Sequence, residues 1–151
     1  MTDLNYSEGD IFVVPLRNGG FSAGVIARSP RDGKVLLGYF FRVGSEWSPD
    51  MTLPKLQPKD AVKVARFGDL AIIRGNWKII GRVPEWNRAE WKMPKFLRKE
   101  DLVKRAWLVT YADDDPNEQI SIEPCPFDST GYEKDSLLGA GFVEIMLTRL
   151  L

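Results

Sequence analysis

The chain has 151 residues, with 21 Lys and Arg against 21 Asp and Glu, 44% apolar and 28% charged side chains, no His and one Cys. That is the composition of an ordinary soluble domain able to bury roughly 70% of its unfolded surface, and one domain over 1–151 is expected. The lack of His excludes Ser-His-Asp and Cys-His nucleophile systems and His-based metal or haem sites. With Cys125 as the lone thiol, a disulfide framework, a Cys-x-x-Cys redox pair and a Cys-based cluster are excluded too.

Balanced charge argues against a dedicated nucleic-acid coater, which shows a basic excess. The longest apolar run, Val35 to Phe41, is far short of the roughly 18 residues of a membrane span. The opening Met-Thr-Asp-Leu-Asn-Tyr-Ser-Glu lacks the basic start and apolar stretch of a signal peptide. The expectation is a cytoplasmic protein with no membrane partner.

In chain order, Ile11 to Leu16 reads as a strand, Asn18-Gly19-Gly20 as a tight turn, and Phe21 to Ala27 as the returning strand. Asp32-Gly33 repeats the turn chemistry before Lys34 to Val43, so three antiparallel strands are expected. Pro49, Pro54 and Pro58, with Trp47, make Ser45 to Lys59 a loop. Val62 to Phe67 reads as a strand, and Leu70 to Ile73 with Trp77 to Val83 reads as a hairpin about Gly75-Asn76. Pro84 to Pro94, carrying Trp86 and Trp91, is irregular. Arg105 to Ala112 alternates, with Trp107, Val109 and Tyr111 on one face. Asp113-Asp114-Asp115-Pro116-Asn117 then turns into a strand holding Ile120 and Ile122. Trp77 and Trp107 are expected to be buried, and at least one of Trp86 and Trp91 accessible.

Leu138, Phe142, Ile145 and Met146 fall at helical spacing. Thr130 with Glu133 offers one capping box, but Gly139 and Gly141 would each cost about 1 kcal/mol inside a helix, which favours a start after Gly141. The pattern predicts an α+β fold: a strongly bent, mainly antiparallel β-sheet with a C-terminal helix packed on it.

Few motifs carry chemistry. Asp113-x-Asp115-x-Asn117 starts like a calcium loop, but Glu118 and Pro124 stand where Gly and a bidentate Glu belong. Gly139-Ala140-Gly141 and Gly33-Lys34 lack the remaining elements of nucleotide-binding loops. No catalytic residue, metal or cofactor is expected. A carboxylate pair for hydrolysis stays formally open, although Asp10 and Asp69 read as strand-start residues bonding local backbone N–H groups.

Charge is segregated along the chain. From Arg82 to Arg105 there are eight basic and four acidic residues, net +4; from Asp113 to Asp135 there are eight acidic residues against Lys134, net −7. Two oppositely charged surfaces are expected. Asp113, Asp114, Asp115 and Glu118 are candidates for steering a basic partner. Trp86 and Trp91, with the basic side chains of Trp86 to Arg105, are candidates for partner contact. The same residues support the alternative of a small β-rich module that binds nucleic acid or peptide.

Two stretches carry a family resemblance. Glu8-Gly-Asp-Ile-Phe-Val-Val-Pro-Leu-Arg-Asn-Gly-Gly-Phe-Ser-Ala-Gly-Val-Ile resembles the opening hairpin of the immunity protein 26 family of bacterial polymorphic toxin systems, and Gly75-Asn76-Trp77-Lys78-Ile79-Ile80-Gly81 is similar to its Gly-x-Trp-x-Ile/Val-Ile-Gly strand. Pro94-Lys95-Phe96 and Val143-Glu144-x-x-Leu147 echo its later segments. The resemblance implies a non-catalytic protein that protects the producing cell by binding a cognate toxin domain encoded nearby; the balanced charge argues against nucleic acid as the partner. The Pro-rich stretch from Ser48 to Pro58 departs from the family pattern.

Overall fold

The computed structural model describes residues 4–44, 48 and 53–151; Trp47 and Pro49 of the expected 45–59 loop lie outside them. The opening strands form as the pattern expects: β1 (Asp10–Pro15), β2 (Phe21–Arg28) and β3 (Val35–Gly44), each antiparallel to the next. The β1–β2 turn has Gly19 at φ +90°, a Leu16 N–H bond to the Gly20 carbonyl at 2.8 Å, and Asn18 Oδ1 accepting from the Gly20 N–H. Only a residue without Cβ takes that φ at no steric cost. β4 (Lys63–Gly68) joins β3, β5 (Ile79–Arg82) joins β1, and β10 (Leu137–Leu138) lies parallel to β4. The six-stranded sheet runs β10-β4-β3-β2-β1-β5.

Leu70–Ile73, expected as a strand, is instead the single-turn helix α1 (Leu70–Ile73). The Asp69 carbonyl accepts from the Ile72 and Ile73 N–H groups, and Gly75 at φ +79° ends the turn. A four-residue apolar run has no readable period, and Gly after a helix is as natural as Gly in a hairpin. β5 therefore pairs across the chain with β1 and not with its neighbour in sequence.

A second sheet holds β6 (Phe96–Glu100), β7 (Arg105–Ala112), β8 (Asp115–Cys125) and β9 (Glu133–Lys134) in the order β8-β7-β6-β9. β6 was not expected, because Arg98-Lys99-Glu100 hides its strand character. The fold is α+β and mainly antiparallel, as the pattern predicts, with its strands divided between two sheets.

Three layers result. On one face of the six-stranded sheet, Phe12, Val14, Ile26, Leu36 and Phe67 pack with Trp77 and α2 (Ala140–Leu150). Phe12 stacks on Trp77 with ring centroids 5.7 Å apart. Gly24 makes room for it, since a Cβ there would stand 2.2 Å from Phe12 Cζ. On the other face, Val25, Leu37, Tyr39 and Phe41 meet Trp91, Phe96, Val109 and Tyr111. Covered on both sides, β2 is buried at all eight positions, Ser22 and Arg28 included, and shows no alternation of buried and exposed residues.

Two expectations about faces are corrected. The inward stripe of α2 is Val143 and Leu147, both fully buried, whereas Phe142 is 60% and Ile145 39% exposed. The helix is turned so that Glu144 accepts from Trp77 Nε1 at 2.9 Å and pairs with Arg17. It begins at Ala140 behind Gly139, near the later of the two expected starts. Trp77 is buried as expected, but Trp107 is only half-buried. It sits opposite Pro124 of the outermost strand β8, outside both cores.

Candidate partner-binding surface

β5 is an edge strand with β1 on one side only. Pro84 follows it, and Glu85 at φ +53° turns the chain away. Facing this edge is the irregular stretch from Leu53, kept out of regular structure by Pro54 until Pro58 opens a 3₁₀ turn, Pro58–Asp60. Leu53, Leu56, Ile80 and Val83 lean on the second core, so the two segments stand as walls with space between them. That space is a groove of about 820 Å³, continued by a second of about 450 Å³ that reaches Lys59, Glu90 and Trp91. The two share Lys55, Leu56, Val83, Pro84 and Glu85.

The groove is apolar along its walls and cationic at its rim, with Lys55, Lys78 and Arg82 against Glu85. Arg82 is held by Asp10 at 3.2 Å and by Ser7 Oγ at 2.8 Å. Lys55 and Lys78 are exposed and form no ion pair among the described residues. Among the described residues, no three Cys, Asp or Glu side chains converge to hold a metal ion.

The structure gives each residue singled out in the sequence a definite place. Trp91 is 2% exposed and packs edge-on against Tyr39 and Phe41, so it is core, although its outer side closes the end of the cleft. Trp86 is half-buried and leans on Trp91 with centroids 5.6 Å apart. Asp113 bonds Arg28 Nε at 3.0 Å and Arg88 at 3.4 Å. Arg28 is buried, and Asp113 is its carboxylate partner. Asp114 pairs with Arg88 at 3.0 Å, Arg88 also bonding Glu8 at 2.8 Å. Asp115 accepts from the Asn117 N–H at 2.9 Å, and Glu118 is exposed on β8.

Part of the charge expected on two opposite surfaces is paired between the basic and acidic segments, Arg88 with Asp113 and Asp114 being the first case. Lys95 meets Glu123 and Arg98 meets Asp135 in the same way. Asp135 is the residue that sequence reasoning missed most completely. Its side chain is 4% exposed and accepts from Arg66, Arg98 and the Tyr111 hydroxyl. Arg66 lies 3.9 Å from the centroid of the Tyr111 ring and donates to the Pro116 carbonyl, tying the two sheets together. Burial, and then Asp135, push the Tyr111 phenol above its ordinary pKa. Asp69 is likewise structural, accepting from the Tyr6 hydroxyl and the Lys34 N–H. Asp10 accepts from the nearby Ser7 N–H, as its position suggested.

A further apolar area is exposed around the helices, from Leu70, Ile73, Leu137 and Phe142. Among the described residues, no helix is long and apolar enough to cross a membrane.

A family model described as Immunity protein 26 matches residues 7–108, which include β1 to β6, the whole cleft and both stretches that carried the resemblance. No curated protein and no solved structure matches the chain.

Proposed function

The chain belongs to the immunity protein 26 family, and from that premise we propose that it neutralises a cognate toxin domain, encoded nearby, by stoichiometric and non-catalytic binding in the cytoplasm. The observation that carries this reading is the cleft beside β5, with apolar walls and two exposed lysines that no carboxylate of the described residues holds. Such a surface offers contacts to a protein and no group positioned for turnover. An inhibitor of this kind needs only a rigid scaffold and a complementary face, commonly about 800 Å² per partner. The three-layer packing supplies the first, and the cleft with its surroundings supplies part of the second.

The alternative of a nucleic-acid or peptide module on Trp86 to Arg105 has less support. Trp91 is buried, and Arg88, Lys95 and Arg98 are engaged with carboxylates, which leaves little of the basic, aromatic platform that single strands stack on. Asp114, Asp115 and Glu118 remain proposed rim charges of the partner-binding face. A neighbouring gene for a large secreted protein with a variable C-terminal toxin domain would support the reading, and co-expression with that domain tests it. Rescue of growth and co-purification at one-to-one stoichiometry are expected. Continued toxicity with no complex overturns it.

A further inference from the structure

The two sheets have four outer edges among the described residues, and three carry features that hinder the addition of another strand. β9 and β10 are two residues long, and β8 carries Pro116, Pro124 and register shifts against β7. Short length, proline and bulges are the usual protections of an edge. β5 differs. It contains no proline and, although its pairing with β1 carries one register shift, it has a groove and, among the described residues, no strand on its other side.

An incoming extended chain would find three things there: the main-chain groups of an edge strand, apolar walls from Leu53, Leu56 and Val83, and the cations Lys55 and Lys78 at the rim, which form no ion pair among the described residues. Main-chain hydrogen bonds give affinity in such strand addition, and pockets for alternate side chains give specificity. At about 3.3 Å per residue, four residues span roughly 13 Å, the length of β5. We propose that β5 accepts an extended segment of a partner protein as a seventh strand of its sheet. The segment places apolar side chains in the groove and carboxylates at Lys55 and Lys78. This rests on the immunity reading only for the identity of the partner, and it names the part of the toxin domain that is held: an acidic-apolar strand or tail.

The probe is a blocked peptide of about nine residues alternating Val and Glu, with a Val/Lys twin and a version N-methylated at every second amide, each titrated while backbone amide shifts are followed by NMR. The Val/Glu peptide is expected to shift the amides of Ile79 to Arg82 saturably, the Val/Lys twin to bind at least tenfold more weakly, and the N-methylated version not to bind. Lys55→Glu with Lys78→Glu should reverse the preference between the twins. Gly81→Phe should abolish binding; a Cβ on Gly81 meets no atom within 4 Å, and the melting temperature is measured beside it so that loss of fold is told apart from loss of the site. Equal binding of the twins, indifference to N-methylation, or shifts confined to other surfaces overturns the proposal. A toxin domain that binds without slowing hydrogen exchange at Ile79 to Arg82 also overturns it and leaves the immunity reading intact. A toxin domain that does not bind overturns that reading, and the peptides still decide this one.

Discussion

Arg66 and Lys78 are both cations beside a strand of the same sheet, yet their surroundings are opposite. Arg66 is 6% exposed and is satisfied by Asp135, the Pro116 carbonyl and the Tyr111 ring, with only Nε lacking a hydrogen-bond partner. Lys78 stands exposed beside the sheet edge and meets no carboxylate among the described residues. The first kind of charge belongs to the scaffold, where removing one partner strands the other in low dielectric. The second is free to act on something outside the chain. The difference separates residues whose loss unfolds the protein from residues whose loss changes only what it binds.

The comparison is broken most severely at Asp135. Asp135→Ala leaves Arg66 buried without its carboxylate, and urea denaturation should show a loss of about 3–5 kcal/mol. Converting the pair together, Arg66→Met with Asp135→Leu, should recover most of it, since a buried pair replaced by apolar groups is often neutral. Asp113→Ala should cost less, about 1–3 kcal/mol for the bond lost to buried Arg28. The same variant tests whether Asp113 acts mainly as scaffold: stability should fall more than the association rate with a toxin domain.

Alkaline pH sharpens the contrast in another way. Tyr6, Tyr39 and Tyr111 all have phenols raised above their ordinary value of 10.0, each chiefly by burial, with Asp69 adding at Tyr6 and Asp135 at Tyr111. The unfolded phenol loses its proton first, so this stability is fully present below pH 10.0 and is lost as pH rises through the folded values. Denaturation midpoints should hold steady up to that point and fall beyond it. Tyr6→Phe should lessen the fall.

The opening sheet was legible because its turns depend on glycine chemistry that a sequence states openly, as at Gly19. The family resemblance was legible for the same reason, since its two stretches are turn and strand residues. α1 was not legible, because Leu70-Ala71-Ile72-Ile73 serves a helix or a strand equally. β6 was hidden by its three charges, whose spacing says nothing about Asp135 waiting across the sheet. The site was the least legible part. Lys55 and Lys78 come from segments distant in sequence, and only folding brings Leu53 and Leu56 opposite β5. By the same logic the acidic run looked like a surface while Asp113, Glu133 and Asp135 were each bound to a cation.

The smallest expected effect on stability is at the cleft, where Lys55→Glu with Lys78→Glu should stay within about 0.5 kcal/mol of wild type, as exposed substitutions usually do. That silence makes the pair the most direct test of the central claim, that the cleft beside β5 is where the toxin domain is held. Calorimetric titration of wild type and the double variant against the toxin domain proposed as its partner decides it. The account predicts one-to-one binding by wild type and at least tenfold weaker binding by an equally stable variant. Equal affinity for the two would contradict it.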